Sequence, residues 1–395
     1  MLPLILGACL EADPATTSTA PPPPDPDAVD LGPHTYVTPP PIGTLPWPQH
    51  DPTWTRAQYD SAMDVNWVVN NYGLYQGTED VGSLYLHDGL DVVLSNGTPI
   101  FAVADGTVRA EIGGNQYYRT LVIEDLNTPG LAWGYTHVYG FRVEPGDVVH
   151  QGTELAMINF QGLEHLHLDR LRLVTGGSWT EWDDLVHMQP DAFFHYTDTE
   201  APLFEGNFRY VQDGTNGAFL PAAAEESVVL TGDVDIVVGI RDPGEWARSP
   251  HGWLNGDSYG DRNSPNRIEY EIRRDDTVVQ EATSFDFSEF ALMPLPWGQK
   301  HPQVLSLYQH YESVRPEAPP VGDWNRKFNY YIVTNSGGVR KDGLLDHDAR
   351  GGAWRTGELD ESGERLFPPG AYTVTVRAFD FMGNVATRSE VVVVN

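Results

Sequence analysis

Two short clusters of histidine and aspartate have the residue types needed to hold a metal ion. They are His87-Asp88-Gly89-Leu90-Asp91 and His165-Leu166-His167, with Tyr135-Thr136-His137 between them in the chain. Zinc takes about four tetrahedral ligands from Cys, His and carboxylate, and a catalytic site leaves one position for water. The chain has one cysteine, so a zinc site here must use imidazole and carboxylate. A lone histidine is more commonly a surface or hydrogen-bonded side chain, but the combination of clusters favours a metal site.

The secondary structure predicted around these clusters would bring them together. Side chains two residues apart on an extended strand point to the same face, so His165 and His167 should face the same way. Asp91 leads into the apolar run Val92-Val93-Leu94, which is typical of a strand. Gly89 would let the chain turn so that His87 reaches the same point. We therefore expect clusters far apart in sequence to meet at one metal ion.

The stretch from about residue 70 to residue 173 resembles the lysostaphin-type zinc endopeptidases of the M23 family, which cut peptides in bacterial peptidoglycan. The similarity covers several elements in the family's order, not one motif alone. These elements are Asn70-Asn71-Tyr72-Gly73, His87-x-x-x-Asp91, Gly97 to Ala102, Asp105 to Val108, Tyr135-Thr136-His137, Val143 to Gly152, and His165-Leu166-His167. The resemblance implies an antiparallel β-sheet peptidase domain.

Carried onto this sequence, the family pattern makes His87, Asp91 and His167 the zinc ligands, with water as the fourth. His137 and His165 match the two further histidines of the family's active site. All five positions hold the residue types of the family, which favours an enzyme over an inactive relative. The loop of residues 159–164 departs from the pattern, because the family has a longer Gly/Ser/Thr-rich loop there. That difference concerns the substrate groove more than catalysis.

The implied mechanism follows from the charges of these ligands. Two neutral imidazoles and one carboxylate leave a bound zinc site with net positive charge, which can lower the pKa of bound water from 15.7 to about 7. Attack on a peptide carbonyl then produces an oxyanion that needs hydrogen-bond donors. His137 and His165 are the candidates for that stabilisation and for proton transfer.

Four other polar residues near the motifs receive a different interpretation. Asp169 shares the predicted strand face of His167 and could orient a ligand imidazole, although a solvated surface carboxylate is the favoured interpretation. His150, His187 and His195 lie outside the motifs, and we expect them on the surface.

The N-terminus predicts export and a lipid anchor. Leu6-Gly7-Ala8-Cys9 resembles the bacterial lipoprotein cleavage box, with Cys9 as the lipid-bearing residue. Residues 10–50 are rich in Pro, Thr, Ala and Asp, which predicts a disordered, extended tether. The expected location is therefore the bacterial cell envelope, with the chain attached to a membrane through Cys9.

The charge of the chain argues against partners with anionic surfaces. There are 56 Asp and Glu residues against 24 Lys and Arg, for a formal net charge of −32. Nucleic acids and anionic lipid surfaces are bound by basic patches, so neither is an expected partner. Peptidoglycan peptides are the expected partner; the sequence does not indicate an oligomeric state.

The C-terminal half predicts a second β-rich domain. The catalytic domain is assigned to residues 51–197, a connector to residues 198–221, and an Ig-like or fibronectin-like β-sandwich to residues 222–395. Short apolar or alternating runs between turn residues support the sandwich, and a long inserted loop region is expected from Ser284 to about Arg365.

Three functions are compatible with this pattern. The first is a zinc-dependent endopeptidase that cuts peptidoglycan cross-links. The second is a non-catalytic cell-wall binding or activator protein of the same fold, which the five intact site residues argue against. The third is a zinc protease whose substrates are proteins, which only substrate profiling separates from the first.

Overall fold

In the computed structural model, nearly all the regular secondary structure of the described residues is β-strand, which confirms the predicted all-β class. None of the helices among the residues it describes is long and apolar enough to cross a membrane. Cys9, most of the predicted tether and His195 lie outside those residues. The structure describes residues 45–53, 68–76, 85–113, 116–160, 164–194, 198–215, 217–222, 226–243, 263–293, 301–308, 329–336, 338–349 and 351–395.

Among the described residues, the N-terminal half holds thirteen strands and two short 3-10 helices, at Trp182–Asp184 and Asp191–Phe193. In chain order the strands are β1 (Val68–Asn70), β2 (Tyr75–Gln76), β3 (Tyr85–Leu86), β4 (Leu90–Val93), β5 (Pro99–Phe101), β6 (Gly106–Ile112), β7 (Thr120–Asp125), β8 (Leu131–Thr136), β9 (Val138–Tyr139), β10 (Val148–Val149), β11 (Glu154–Ile158), β12 (His165–Leu173) and β13 (Leu185–Met188).

One large antiparallel sheet dominates this half. Its order is β1-β4-β12-β8-β7-β6-β10, and β13 pairs with the C-terminal part of β12. A second sheet has the order β5-β11-β9. Apolar side chains of both sheets form one core, which we call the first core and which includes Leu90, Ile100, Trp133, Leu155 and Leu166. Strand β12, which carries His165 and His167, therefore lies in the interior of the large sheet between β4 and β8.

The end of the predicted tether is folded rather than extended. Trp47 is 2% exposed and stacks on Phe194 with ring centroids 4.8 Å apart. The carbonyl of Pro48 accepts a hydrogen bond of 2.7 Å from the Phe101 backbone N–H. The predicted tether boundary at residue 50 is thus wrong, because an apolar ring just before it completes the first core.

The C-terminal half contains the helix α1 (His301–Leu305) and the remaining ten strands of the described chain. These strands are β14 (Leu203–Gln212), β15 (Ala218–Phe219), β16 (Val229–Leu230), β17 (Asp233–Arg241), β18 (Arg267–Arg274), β19 (Thr277–Asp286), β20 (Asn329–Ile332), β21 (Trp354–Arg355), β22 (Gly370–Phe379) and β23 (Val385–Val394).

Two five-stranded sheets of this half share what we call the second core. One sheet has the order β15-β14-β17-β20 with β21 also paired to β17, and the other has the order β16-β23-β22-β18-β19. Strand β22 shows the physical reason for the packing, because Tyr372, Val374, Val376 and Ala378 are buried and alternate with more exposed residues. The arrangement is a sandwich of two sheets, and its Ig-like character stays a prediction.

Two predicted boundaries in this half need correction. The predicted connector, residues 198–221, contains β14 and β15, and β14 pairs along β17. The predicted inserted loop region from Ser284 to Arg365 contains β20 and β21, which also pair with β17. Both stretches therefore supply strands to the sandwich.

The two halves interdigitate. Tyr72, Tyr75 and Leu86, which surround the β2–β3 pair of the N-terminal half, belong to the second core. In the other direction, Phe381 and Met382 from the turn after β22 pack against the first core. The interface between the halves is consequently apolar, and each half contributes side chains to the core of the other.

Candidate metal centre

Three predicted ligands converge at the point where β4 and β12 pair. Asp91 lies opposite His167 in the register of these strands. His87 Nε2 lies 3.1 Å from Asp91 Oδ1 and 3.1 Å from His167 Nδ1, and His167 Nδ1 lies 2.9 Å from Asp91 Oδ1. Tetrahedral zinc ligands with bonds of about 2.0 to 2.1 Å are separated by roughly 3.3 Å. The three atoms have nearly the spacing of three corners of such a tetrahedron.

The outer hydrogen bonds of both imidazoles fit metal binding. His87 Nδ1 is 3.0 Å from the carbonyl oxygen of Asn71, which can only accept, so Nδ1 carries the proton. His167 Nε2 is 3.1 Å from Asp169 Oδ1, a carboxylate oxygen that favours a proton on Nε2. In neutral imidazoles this leaves His87 Nε2 and His167 Nδ1 as lone-pair atoms facing the Asp91 carboxylate. Three acceptors at contact distance repel one another unless a metal ion or a proton lies among them, and three such donor atoms fit a zinc ion.

The electrostatics of this cluster also favour positive charge. Burial alone would raise the pKa of Asp91, but His87, His165 and hydrogen bonding hold it well below its usual range. Burial alone would lower the pKa of His167, but the carboxylates of Asp169 and Asp91 hold it well above its usual range. Asp91 is therefore ionised at neutral pH.

Asp169 supports His167 from the side opposite the predicted metal. It is fully buried, and its Oδ1 accepts from both His167 Nε2 and His187 Nδ1, the latter at 3.0 Å. Asp88 Oδ1 lies 3.5 Å from His167 Nε2. The favoured surface interpretation of Asp169 is thus wrong, and so is that of His187, which is 1% exposed. His150 is exposed as predicted.

Two glycines make room for these contacts. A Cβ on Gly89 would lie 2.7 Å from the Leu168 carbonyl oxygen and 2.9 Å from His167 Nε2. The chain bends at Gly89 as predicted, and because its φ is not in the left-handed region, the glycine is needed for this close approach rather than for an unusual backbone conformation. A Cβ on Gly134 would lie 3.1 Å from the Asp169 Cβ. The chain segments next to β12 can approach its functional side chains this closely because these two positions lack side chains.

His137 and His165 lie beside the three ligand atoms. His165 Nε2 is 3.4 Å from Asp91 Oδ1, and the rings of His137 and His165 are 4.6 Å apart. His137 directly follows β8 with φ of 66°, a conformation that is uncommon outside glycine and is found at functional sites. Its Nδ1 donates to the Tyr117 carbonyl at 2.7 Å. Burial, followed by the neighbouring His165, holds the pKa of His137 well below its usual range, so the neutral ring is a proton acceptor at Nε2.

Sequence reasoning missed an aromatic wall on this side of the site. Phe160 lies with its ring centroid 4.1 Å from that of His137 and 4.9 Å from that of His165, and Tyr118 lies 5.5 Å from His137. Phe160 belongs to the atypical loop of residues 159–164, of which 161–163 are outside the described residues. The presence of an aromatic residue, Phe160, in that loop was the sequence signal that could have predicted this wall.

Comparison with known families identifies the same part of the chain. Residues 85–173 match the family model Peptidase family M23, and the matched segment contains His87, Asp91, His137, His165 and His167. The predicted resemblance to this family is confirmed for that segment. The match supports a peptidase function.

Solved structures with similar segments include several peptidases. A zinc containing peptidase from Vibrio cholerae matches at 20% identity over 35% of this chain and 38% of its own, with a TM-score of 0.26. The catalytic domain of the antimicrobial peptidase lysostaphin from Staphylococcus simulans matches at 21% identity over 30% of this chain and 87% of its own, with a TM-score of 0.23. LytU matches at 26% identity over 32% of this chain and 87% of its own, with a TM-score of 0.24.

Proposed function

We propose, from the match of residues 85–173 to peptidase family M23, that this chain is a zinc-dependent endopeptidase acting on peptide cross-links of bacterial peptidoglycan. The observation that carries the proposal is the convergence of His87 Nε2, Asp91 Oδ1 and His167 Nδ1 within 3.1 Å of one another. A zinc ion held by these atoms would lower the pKa of its water and polarise the scissile carbonyl. The remaining chemistry belongs to the two neighbouring histidines.

His137 is the proposed proton acceptor. Its Nδ1 proton is committed to the Tyr117 carbonyl, which fixes the tautomer and leaves Nε2 to accept a proton from the attacking water. The same nitrogen, once protonated, can return that proton to the leaving amine. His165 packs against the His137 ring, and we assign it hydrogen bonding to the developing oxyanion.

The burial of this pair strengthens such interactions. His137 and His165 are each 7% exposed, and Phe160 covers both rings. Electrostatic attraction between a hydrogen-bond donor and a developing oxyanion increases as water is excluded. The proposed location is the bacterial cell envelope, where a lipid anchor on Cys9 would hold the enzyme near its substrate.

The test compares the wild type with His167→Ala and with the exposed His150→Ala as matched control. We expect about one zinc per wild-type chain and release of muropeptides from purified peptidoglycan, because the three ligands are preorganised. His167→Ala should lose both properties, whereas His150→Ala should retain both. Mass spectrometry of the released products identifies the bond that is cut.

A second variant separates catalysis from metal binding. His137→Asn keeps a residue that tolerates the left-handed backbone but lacks the imidazole. It should retain zinc and cut about 100- to 10,000-fold more slowly, the usual contribution of general acid–base catalysis. Zinc binding by the wild type without muropeptide release, but with cleavage of protein substrates, would instead favour the protein-directed protease. Zinc binding without cleavage of either substrate would favour a wall-binding protein.

A further inference from the structure

Residues 70–73, which are the last residue of β1 and the turn that follows it, contact two of the three predicted ligands. We call this stretch the bridging segment. The Asn70 side-chain amide donates to Asp91 Oδ2 at 2.6 Å, and the Asn71 carbonyl accepts from His87 Nδ1 at 3.0 Å. The His87 carbonyl in turn accepts from the Gly73 backbone N–H at 2.8 Å. The bridging segment thus fixes the tautomer of His87 and the position of its backbone.

The side chain of Asn71 points away from the metal site and binds the C-terminal half. Its Nδ2 donates to the Ser264 carbonyl at 2.7 Å, and its Oδ1 accepts from the Ser264 backbone N–H at 2.9 Å. The Asn71 amide thus binds both the carbonyl and the N–H of one residue, as a neighbouring β-strand backbone would. Ser264 precedes Pro265, which restricts Ser264 to an extended conformation. The Asn71 side chain is therefore bound to a backbone segment whose conformational freedom is restricted.

Ser264 is itself held by buried tyrosines. Its hydroxyl lies 3.1 Å from the Tyr308 hydroxyl and 2.9 Å from that of Tyr331. The Tyr308 hydroxyl also donates to the Gly73 carbonyl at 2.8 Å. The bridging segment and Ser264 are consequently parts of one hydrogen-bonded network in the second core.

Tyr72 adds apolar anchoring on the same side. Its ring is 1% exposed and meets Phe287 edge-on with centroids 6.1 Å apart. Its hydroxyl donates to the His187 carbonyl at 3.0 Å. The side chain of the same His187 binds Asp169. A Cβ on Gly73 would lie 2.4 Å from the Phe287 ring, so the segment fits closely against the sandwich.

We propose that Asn71 is a positioning residue for the ligand His87, and that the C-terminal sandwich is a structural part of the metal site. The inference rests on the proposed metal-dependent function and deepens it. Its physical basis is that the acceptor for His87 Nδ1–H is a backbone carbonyl whose own residue is anchored to Ser264. Partners of this kind commonly change metal affinity 10- to 100-fold when they are removed.

The experiment uses the full chain with Asn71→Ala. Zinc affinity is measured by competition with a chromophoric chelator, and thermal unfolding and the separate values of kcat and KM are measured alongside it. The expected result is zinc binding about 10-fold or more weaker than in the wild type, with kcat lowered more than KM is raised. Should Asn71→Ala fail to fold, Asn71→Ser, which keeps one hydrogen-bonding atom, is measured with the same expectation.

Two control variants separate positioning from general stability. Gln189→Ala removes another hydrogen bond between the halves, the one of 2.6 Å from Gln189 Nε2 to Asn266 Oδ1, without touching the bridging segment. It should leave zinc affinity unchanged. Ser264→Ala keeps both backbone groups that bind Asn71, and it should stay closer to the wild type in zinc affinity than Asn71→Ala does.

The outcomes distinguish this inference from the proposed function. A wild type that binds zinc and cuts its substrate, with an Asn71→Ala variant of equal zinc affinity and kcat, overturns the positioning role alone. Equal losses of zinc affinity in Asn71→Ala and Gln189→Ala also overturn it, because the effect would then be general. A wild type that binds no zinc overturns the proposed function first.

Discussion

The two ring nitrogens of His167 have separate partners, and this division explains why one side chain depends on so many neighbours. Nδ1 lies 2.9 Å from the Asp91 carboxylate in the predicted metal site, whereas Nε2 binds Asp169. A carboxylate behind a ligand imidazole fixes its tautomer and raises its basicity. Among residues that are not predicted ligands, Asp169 is therefore the one whose removal should lower metal affinity most.

Asp169→Ala should weaken zinc binding about 10- to 100-fold. The reason is that His167 Nε2 loses its acceptor, and His187 Nδ1 loses its partner in the same step. Chelator competition measures the affinity, and Asp183→Ala, at an exposed carboxylate of the same half, is the matched control. Unchanged zinc affinity in Asp169→Ala would show that β12 and its neighbours orient His167 without this carboxylate.

Single residues also show what sequence alone could predict. The period-two spacing of His165, His167 and Asp169 correctly placed all three near the same face, since a strand alternates its side chains. The burial of Asp169 depends on Gly134 and His187 on the strands at either side, and no local pattern reports it. The bond between Asn71 and Ser264 joins residues 193 positions apart, so it too is visible only after folding.

At the scale of the element, the site depends on the close pairing of β4 with β12. Gly89, which precedes β4, lies against the Leu168 backbone and the His167 ring. In Gly89→Ala the added methyl group must displace β4 from β12, because the Leu168 carbonyl cannot rotate away as a side chain would.

We expect Gly89→Ala to destabilise the protein by about 1–3 kcal/mol and to weaken zinc binding. Denaturant unfolding and chelator competition measure the two effects. The control is Gly357→Ala, at an exposed glycine without a left-handed φ where an added Cβ meets nothing within 4 Å. Normal zinc affinity and stability in Gly89→Ala would mean that β4 moves without consequence for the ligands.

Strand β14 illustrates why element prediction failed where it did. The run from Leu203 to Gln212 pairs with β17, but its register shifts between Glu205 and Arg209, and Gly206 has φ of 55°. A bulge of this kind breaks the alternation that marks a strand in the sequence. The predicted connector thus contains an irregular strand, whereas β22, in which buried and more exposed residues alternate, is a regular one.

At the scale of the whole molecule, the acidic composition places carboxylates in unfavourable surroundings. Burial, aided by the nearby Asp213, raises the pKa of Asp235 to about 6. Its Oδ1 accepts a hydrogen bond of 3.1 Å from the Thr334 hydroxyl, which only partly offsets the cost. Asp235 lies in β17, the strand that joins most of one sheet of the sandwich.

Asp235→Asn should raise the free energy of unfolding at pH 8 but change it little at pH 4. A folded-state pKa above the unfolded value means that the native state binds the proton more tightly, so stability falls as pH rises from about 4 to about 6. The shift corresponds to about 2–3 kcal/mol above pH 6. Urea unfolding of wild type and variant at both pH values measures it, and equal differences at pH 4 and pH 8 would contradict the assignment.

The exchange of side chains between the halves has a consequence for the order of events during synthesis. Tyr72, Tyr75 and Leu86 are synthesised about 300 residues before Val392 and Val394 of β23, which belong to the core that buries them. A chain emerging from its N-terminus cannot bury these rings until β23 is available. A nascent chain that lacks β23 would therefore leave the segment beside the predicted metal site incompletely supported, so zinc binding by the proposed enzyme should come only after β23 has been made. For the proposed hydrolase, the order of folding would thus delay activity until β23 has joined the sandwich.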